Sequence, residues 1–236
     1  MRLRRRRPAP RHVALVLDGN RRWARRKHLP KVTEGHWVGF RRIPDVLRWC
    51  DQAGIEVVTL WMLSTDNLRR DPEEVAIVMN VICAVVRSLA FQDRWTIRHL
   101  GTTTGLTSEV RAVLECAERE TCGPGRVMTV NLAICYGGRQ EIVSAVRAVL
   151  ARTVAERGIS AHEAVEHLTP EQITAEITAG QPPPDLVVRT SGEHRSSGFL
   201  LWTGTHARWW FTSTLWPEFT RRHLHRAISD YRKAPL

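Results

Sequence analysis

No stretch of this 236-residue chain approaches the roughly 18–20 consecutive apolar residues of a membrane span, so none is expected. The basic amino end is not followed by an apolar core segment, which argues against a secretory signal. Cysteine is sparse: Cys50, Cys83, Cys116, Cys122 and Cys135 are odd in number and form no C-x-x-C pair. Neither a zinc site nor a disulfide framework is expected, and a reducing, cytoplasmic setting is the default. The G-x-G-x-x-G fingerprint is missing, which disfavours a nicotinamide cofactor. There is no Ser/Gly linker and no internal repeat. The reading is therefore one domain over 11–236, preceded by a basic, disordered arm over 1–10.

Acid is almost missing from one region. Residues 1–27 hold eleven Lys and Arg and a single acid, Asp18, whereas the whole chain carries +11. The excess positive charge is thus local. The arm could serve an anionic membrane surface or, less favoured, nucleic acid; neither explains a second arginine loop near residue 190.

Apolar runs over 12–18, 56–63, 95–100, 127–135, 185–190 and 207–212 read as strands. Helical patterns fall at 21–28, 36–53, 72–92, 108–120, 138–156, 170–179 and 221–231. Runs with little two-residue alternation suit strands buried on both faces. Strands alternating with helices imply right-handed crossovers and an α/β fold, a Rossmann-like parallel sheet flanked by helices.

Two strand exits carry the chemistry. The segment PDLVVRTSGEHRSSGFLLW (184–202) runs from a buried strand into Arg189, a Thr-Ser-Gly turn, Arg195 and Ser197. Guanidinium forks and hydroxyls there make an oxyanion receptor, the alternative being a surface loop with solvated arginines. In HVALVLDGNRRWARR (12–26), Gly19 allows close backbone approach and Arg21 and Arg22 open a helix. Asp18 stays ionised amid that positive charge and could hold Mg²⁺ against a diphosphate. Its plainer readings are a helix cap or an ion-pair partner.

Taken together, HVALVLDGNRRWA, EGHWVGF, LSTDNLRRDPEE, NLAICYGGRQEIV, DLVVRTSGEHRSSGFLLW and LWPEF, in that order from His12 to Phe219, resemble the cis-prenyltransferases, the undecaprenyl diphosphate synthase family. The details are most similar to its short-chain actinobacterial branch, which makes Z,E-farnesyl diphosphate. The resemblance implies a Mg²⁺-dependent homodimer, with 130–150 and 199–216 as candidate interface segments. It also implies isoprenoid diphosphate substrates, one of them allylic. Asp18 would act in catalysis and hold the metal, while Gly19, Asn20, Arg21, Arg22 and His36 would bind the allylic diphosphate. Ser64, Asn67 and Arg70 would assist ionisation and proton transfer. Arg189, Arg195 and Ser197 would bind the second diphosphate, with Glu193 and His194 shaping that loop. Met62, beside Trp61, would plug the product tunnel and hold the product to ten to twenty carbons, with fifteen favoured.

Three positions depart from the family pattern. Arg208 stands where a metal-binding glutamate is usual, and is assigned here to the second diphosphate. The segment Asp230–Leu236 holds no R-x-G motif, and Val32 replaces a frequent arginine. Because the first two concern the acceptor, the sequence reading leans to irregular head-to-middle coupling, giving a branched, lavandulyl-type diphosphate. Regular head-to-tail Z-farnesyl synthesis is the alternative, and a non-catalytic accessory subunit is the rival from another class.

Overall fold

Strands that are mostly apolar can be buried on both faces, and all five residues of β1 (His12–Val16) and all four of β5 (Leu186–Arg189), His12 and Arg189 included, are buried. With β2 (Val57–Ser64), β3 (Thr96–Leu100), β4 (Thr129–Tyr136) and β6 (Arg208–Phe211), they form one parallel sheet in the order β3-β4-β2-β1-β5-β6. The computed structural model describes residues 7–233. The helices are α1 (Asn20–Arg26), α2 (Glu34–Phe40), α3 (Ile43–Gln52), α4 (Pro72–Phe91), α5 (Ser108–Glu120), α6 (Gly138–Arg157), α7 (Ala161–Glu166), α8 (Pro170–Thr178) and α9 (Arg221–Lys233).

The larger core lies on one face, where Val13, Leu15, Leu60, Leu132 and Val188 meet side chains of α3, α4, α5 and α9. A smaller cluster on the other face joins Ala14, Val16, Ala133, Tyr136 and Val187 to Phe199 and Leu200. After β1 the chain builds the β2 side of the sheet, then returns to place β5 on the other flank of β1. Strand order therefore reverses between β1 and β5, and the crevice beyond their carboxyl ends is where open α/β sheets take ligands.

The helix expected over 36–53 is two helices. Pro44 sits in the first turn of α3, where its ring and missing N–H are tolerated. Continued from α2, it would clash with the carbonyl of Phe40. The short α7 and the 3-10 turns Thr65–Arg69, Thr203–His206 and Trp216–Glu218 were not anticipated. Yet Ser160 and Glu163 form a capping box at α7, a signal present in the sequence. Helix α4 is long and apolar enough by composition to cross a membrane, with mean hydropathy 1.9 over its best window. Its Val78, Val81, Ile82, Val85 and Val86 are buried in the sheet core instead. Of the expected arm, residues 1–6 lie outside the described residues. Arg7 is placed against α9, donating its N–H to the Arg232 carbonyl at 3.1 Å and stacking over the Tyr231 ring.

Candidate active site

At the β1–β5 reversal a cavity of about 460 Å³ opens. It is lined by Asp18, Gly19, Asn20, Arg21, Arg22 and His36 from the β1 side. Trp61, Met62, Ser64, Asn67 and Arg70 line it from the β2 exit, and Arg189, Arg195 and Ser197 from the β5 exit. Segments as far apart in sequence as Val16 and Ser197 thus converge because parallel strands share one carboxyl edge.

The chain leaves β1 through Gly19, at φ +107°, where a Cβ would lie 2.8 Å from the Leu215 side chain. Helix α1 follows at once and presents Arg21, Arg22 and Arg25 to the cavity. Helix α2 presses close on it. Added Cβ atoms at Gly35 and Gly39 would each come within 2.1 Å of an oxygen of Asn20. The two glycines of EGHWVGF therefore permit the approach that carries His36 to the cavity wall. His36 is 7% exposed, and neither ring nitrogen has a partner among the described residues. Burial, with Arg70 and Arg21 nearby, lowers its pKa to about 4. It stands as a neutral imidazole with hydrogen-bonding capacity unused.

One cluster ties the two arginine loops together. Arg189, 4% exposed, donates from Nη2 to Asp18 Oδ2 at 3.2 Å and from Nη1 to Ser197 Oγ at 2.8 Å. The same Nη1 reaches the Arg195 carbonyl. Thr190 Oγ1 accepts the Asp18 N–H at 3.0 Å, closing the β1 and β5 exits on each other. Arg22 reaches the Ser191 carbonyl at 3.1 Å and Glu193 at 3.6 Å, while Glu193 also pairs with Arg195 at 2.6 Å. Across the cavity, Glu74 bridges Arg21 at 3.4 Å and Arg70 at 3.2 Å.

Six arginines against two aspartates, Asp18 and Asp66, line the space, so an anion is the fitting occupant. Unused hydrogen-bonding atoms point the same way. Besides His36, Arg189 Nε is buried without a partner among the described residues, a state that polar groups avoid unless a ligand or water completes them. Apolar walls from Val16, Leu17, Trp61, Met62 and Leu63 adjoin the cations. The arrangement suits a molecule with an anionic head and a hydrocarbon tail.

The family model described as "Putative undecaprenyl diphosphate synthase" matches residues 16–235. The chain belongs to this family, the cis-prenyltransferases. It is 47% identical, over 94% of its length and 85% of the relative's, to a short-chain Z-isoprenyl diphosphate synthase of Mycobacterium leprae. It is 44% identical, with the same coverage, to a (2Z,6E)-farnesyl diphosphate synthase of Mycolicibacterium smegmatis. The crystal structure of lavandulyl diphosphate synthase from Lavandula x intermedia, in complex with dimethylallyl diphosphate, has the same fold, with TM-score 0.87, 29% identity and 96% of both chains covered. As a member of this family the protein is a prenyltransferase, and its substrates are isoprenoid diphosphates.

Within this cis-prenyltransferase cavity, every site residue expected from the sequence is present except one. Arg208 is exposed at the first position of β6, opposite Leu186, at the amino end of the sheet. The cavity lies beyond the opposite end, where Phe211 pairs with Arg189, about 10 Å further along the strand. Within this chain Arg208 does not join the second diphosphate loop. Asn67 lines the cavity but is also half of a cap: its Oδ1 accepts the Ser64 N–H at 3.2 Å, and Ser64 Oγ accepts the Asn67 N–H at 3.1 Å. With the oxygen so engaged, the carboxamide offers the cavity N–H donors. Arg25, Asp66 and the bridging Glu74 were missed by the sequence reading. Arg25 was findable, one helical turn beyond Arg21 and Arg22; Glu74 needed the fold.

Proposed function

We propose that this prenyltransferase is a short-chain Z-prenyl diphosphate synthase of the regular kind, joining dimethylallyl or geranyl diphosphate head to tail to isopentenyl diphosphate. The observation that carries the proposal is the Asp18–Arg189–Ser197 cluster, which sets two cationic loops side by side. Identity of 44–47% over most of the chain with short-chain Z-synthases supports it. The allylic C1–O bond breaks to give a carbocation and pyrophosphate. The second substrate's double bond attacks C1, and a proton is then lost. Most of this is positioning and charge stabilisation.

In this reading Arg21, Arg22 and His36 hold the allylic diphosphate. Arg70 and the Asn67 amide face its leaving oxygens, and Arg189, Arg195 and Ser197 hold the second diphosphate. Trp61, Met62 and Leu63 keep water from the cation. Magnesium belongs to the proposal. No group of three His, Cys, Asp or Glu side chains that could hold a metal occurs among the described residues. Asp18, with a third of its side chain exposed, fits an ion that arrives on a diphosphate, because Mg²⁺ takes one or two carboxylates plus phosphate oxygens. When bound, the ion would neutralise the leaving pyrophosphate. A homodimer is also part of the reading. Val143 and Leu201 are exposed on the segments expected at its interface, and β6 is an edge strand.

Head-to-middle coupling is the second reading, favoured by the arginine at 208 and by the resemblance to the lavandulyl diphosphate synthase. The placement of Arg208 away from the cavity weakens the acceptor argument from which that reading grew. The test is product analysis by mass spectrometry and NMR after dephosphorylation. The protein is incubated with Mg²⁺ and dimethylallyl or geranyl diphosphate, with and without isopentenyl diphosphate. A linear product that requires isopentenyl diphosphate is expected; a branched product from allylic substrates alone overturns the proposal. The same assay tests chain length. Met62, 6% exposed, both lines the cavity and packs in the core. Met62→Ala is expected to shift the product from fifteen carbons to longer chains, and an unchanged length removes Met62 as the stop.

A further inference from the structure

Along β4 the alternation of faces breaks at Cys135. Val130, Leu132 and Ile134 join the larger core and Ala133 the smaller one. Cys135 then falls on the same face as Ile134, and Tyr136 on the face of Ala133. The pairing shows why: Leu63 stands opposite Ile134 and Ser64 opposite Tyr136, leaving Cys135 without a partner on β2. This is a β-bulge, a device that re-aims a side chain, and it holds Cys135 at φ +49°. In a regular strand Tyr136 would point into the larger core.

Turned as it is, the buried Tyr136 meets four residues: Glu141, Leu200, Phe199 and, edge-on at 6.3 Å between centroids, Trp61. Its hydroxyl donates to Glu141 Oε2 at 2.7 Å and accepts the Leu200 N–H at 3.2 Å. Its ring meets Phe199 edge-on, with centroids 5.9 Å apart. Phe199 in turn stacks on Trp61 at 4.9 Å with planes 5° apart, and Trp61 lines the cavity. Beside these contacts, the Gly138 N–H donates to the Gly198 carbonyl at 2.9 Å. The segment held this way is unusual, with left-handed backbone at Ser197, Gly198 and Leu200. Such conformations persist when surrounding contacts over-determine them. The first residue of the segment, Ser197, is the one bonded by both Arg189 and Arg195.

We propose that Tyr136, oriented by Glu141, is a positioning residue for the second diphosphate. It fixes the 197–200 turn so that Ser197 and Arg195 stand ready beside Arg189, and through Phe199 it fixes the Trp61 wall. Its hydroxyl is engaged by Glu141 and Leu200 and does not line the cavity, so it takes no part in bond making. Burial pushes the Glu141 carboxyl up to about 7, against the bond from Tyr136. The carboxyl is therefore partly neutral near pH 7, and glutamine is a close mimic of it. The proposal rests on the reading of the β5 loop as the second diphosphate site.

The test is steady-state kinetics on the full chain, varying geranyl and isopentenyl diphosphate separately. Tyr136→Phe is expected to raise the KM for isopentenyl diphosphate about tenfold, the effect of one lost hydrogen bond, with kcat and the allylic KM nearly unchanged. Glu141→Ala should follow it, and Glu141→Gln should stay near the parent. An equal rise in both KM values, a fall in kcat alone, or Glu141→Gln as damaging as Glu141→Ala overturns the proposal. Should Tyr136→Phe fail to fold, the Glu141 pair carries the same test. If no substrate pair turns over in the parent, the synthase reading fails. Calorimetric titration with inorganic pyrophosphate then decides the relay, with weaker binding to Tyr136→Phe supporting it and equal binding sinking it.

Discussion

Asp18→Asn is expected to lower kcat by roughly 10²–10³-fold, the scale of removing one preorganised electrostatic group from a reacting centre. The substitution keeps the shape and an acceptor oxygen for the Arg189 bond at 3.2 Å, so both loops should stay in place. What is lost is the negative charge. Asp18 is the carboxylate at the β1 exit, with Arg22 at 3.6 Å and Arg189 beside it. Without that charge, a metal arriving on a diphosphate would meet six arginines and only the Asp66 carboxylate along the cavity lining. The Mg²⁺ concentration for half-maximal rate should therefore rise together with the fall in kcat, while the melting temperature moves little. Full turnover with an unchanged metal requirement would leave Asp18 as an ion-pair partner and no more.

The two arginine loops were legible because each follows directly on a buried strand, and parallel strands bring their exits to one edge. Asp18 and Arg189 needed no knowledge of long-range contacts to be placed together, only the α/β pattern. Arg208 shows the limit of the same logic. Its motif was recognisable, but a four-residue strand places its first residue at one end of the sheet and its last at the other, and the assignment turned on which end was meant. The split between α2 and α3 was readable from Pro44, yet a continuous apolar pattern over 36–53 masked it. Tyr136 was beyond reach. Its role depends on a one-residue bulge, and a bulge leaves no trace in hydrophobic periodicity other than two consecutive buried residues, Ile134 and Cys135, in a strand buried at every position after Thr129.

The charge pattern has a similar lesson. Counting placed ten excess positive charges in the first 27 residues, part on the arm and part on the helix start Arg21–Lys27. The fold divides them. Arg21, Arg22 and Arg25 turn into the cavity, Arg26 pairs with Glu218, and Arg11 pairs with Glu56 at the amino end of the sheet. The acids that answer Arg11 and Arg26 lie far away in sequence, so a local count does not see these pairs.

Arg189→Ala should combine the largest binding loss with a loss of stability. The side chain is 5% exposed and bridges Asp18, Ser197 Oγ and the Arg195 carbonyl. Truncation removes a cation from the second diphosphate site and leaves buried groups unsatisfied. Hydrogen bonds to charged groups contribute about 1.5–3 kcal/mol, so the KM for isopentenyl diphosphate should rise roughly 10–100-fold. The unsatisfied groups cost about 2 kcal/mol, or a melting temperature lower by about 4–8 °C for a chain of this size. Arg189→Lys separates the two effects. Lysine restores one positive charge but not the fork, since its ammonium is a point charge and cannot serve Asp18 and the 195–197 turn in the same planar geometry. The lysine variant should recover part of the melting temperature and little of the KM. If it recovers the KM fully, charge alone matters at this site and the fork does not. Calorimetric melting beside isopentenyl diphosphate titrations of the two variants distinguishes a bridge that orders both loops from a cation that merely attracts phosphate.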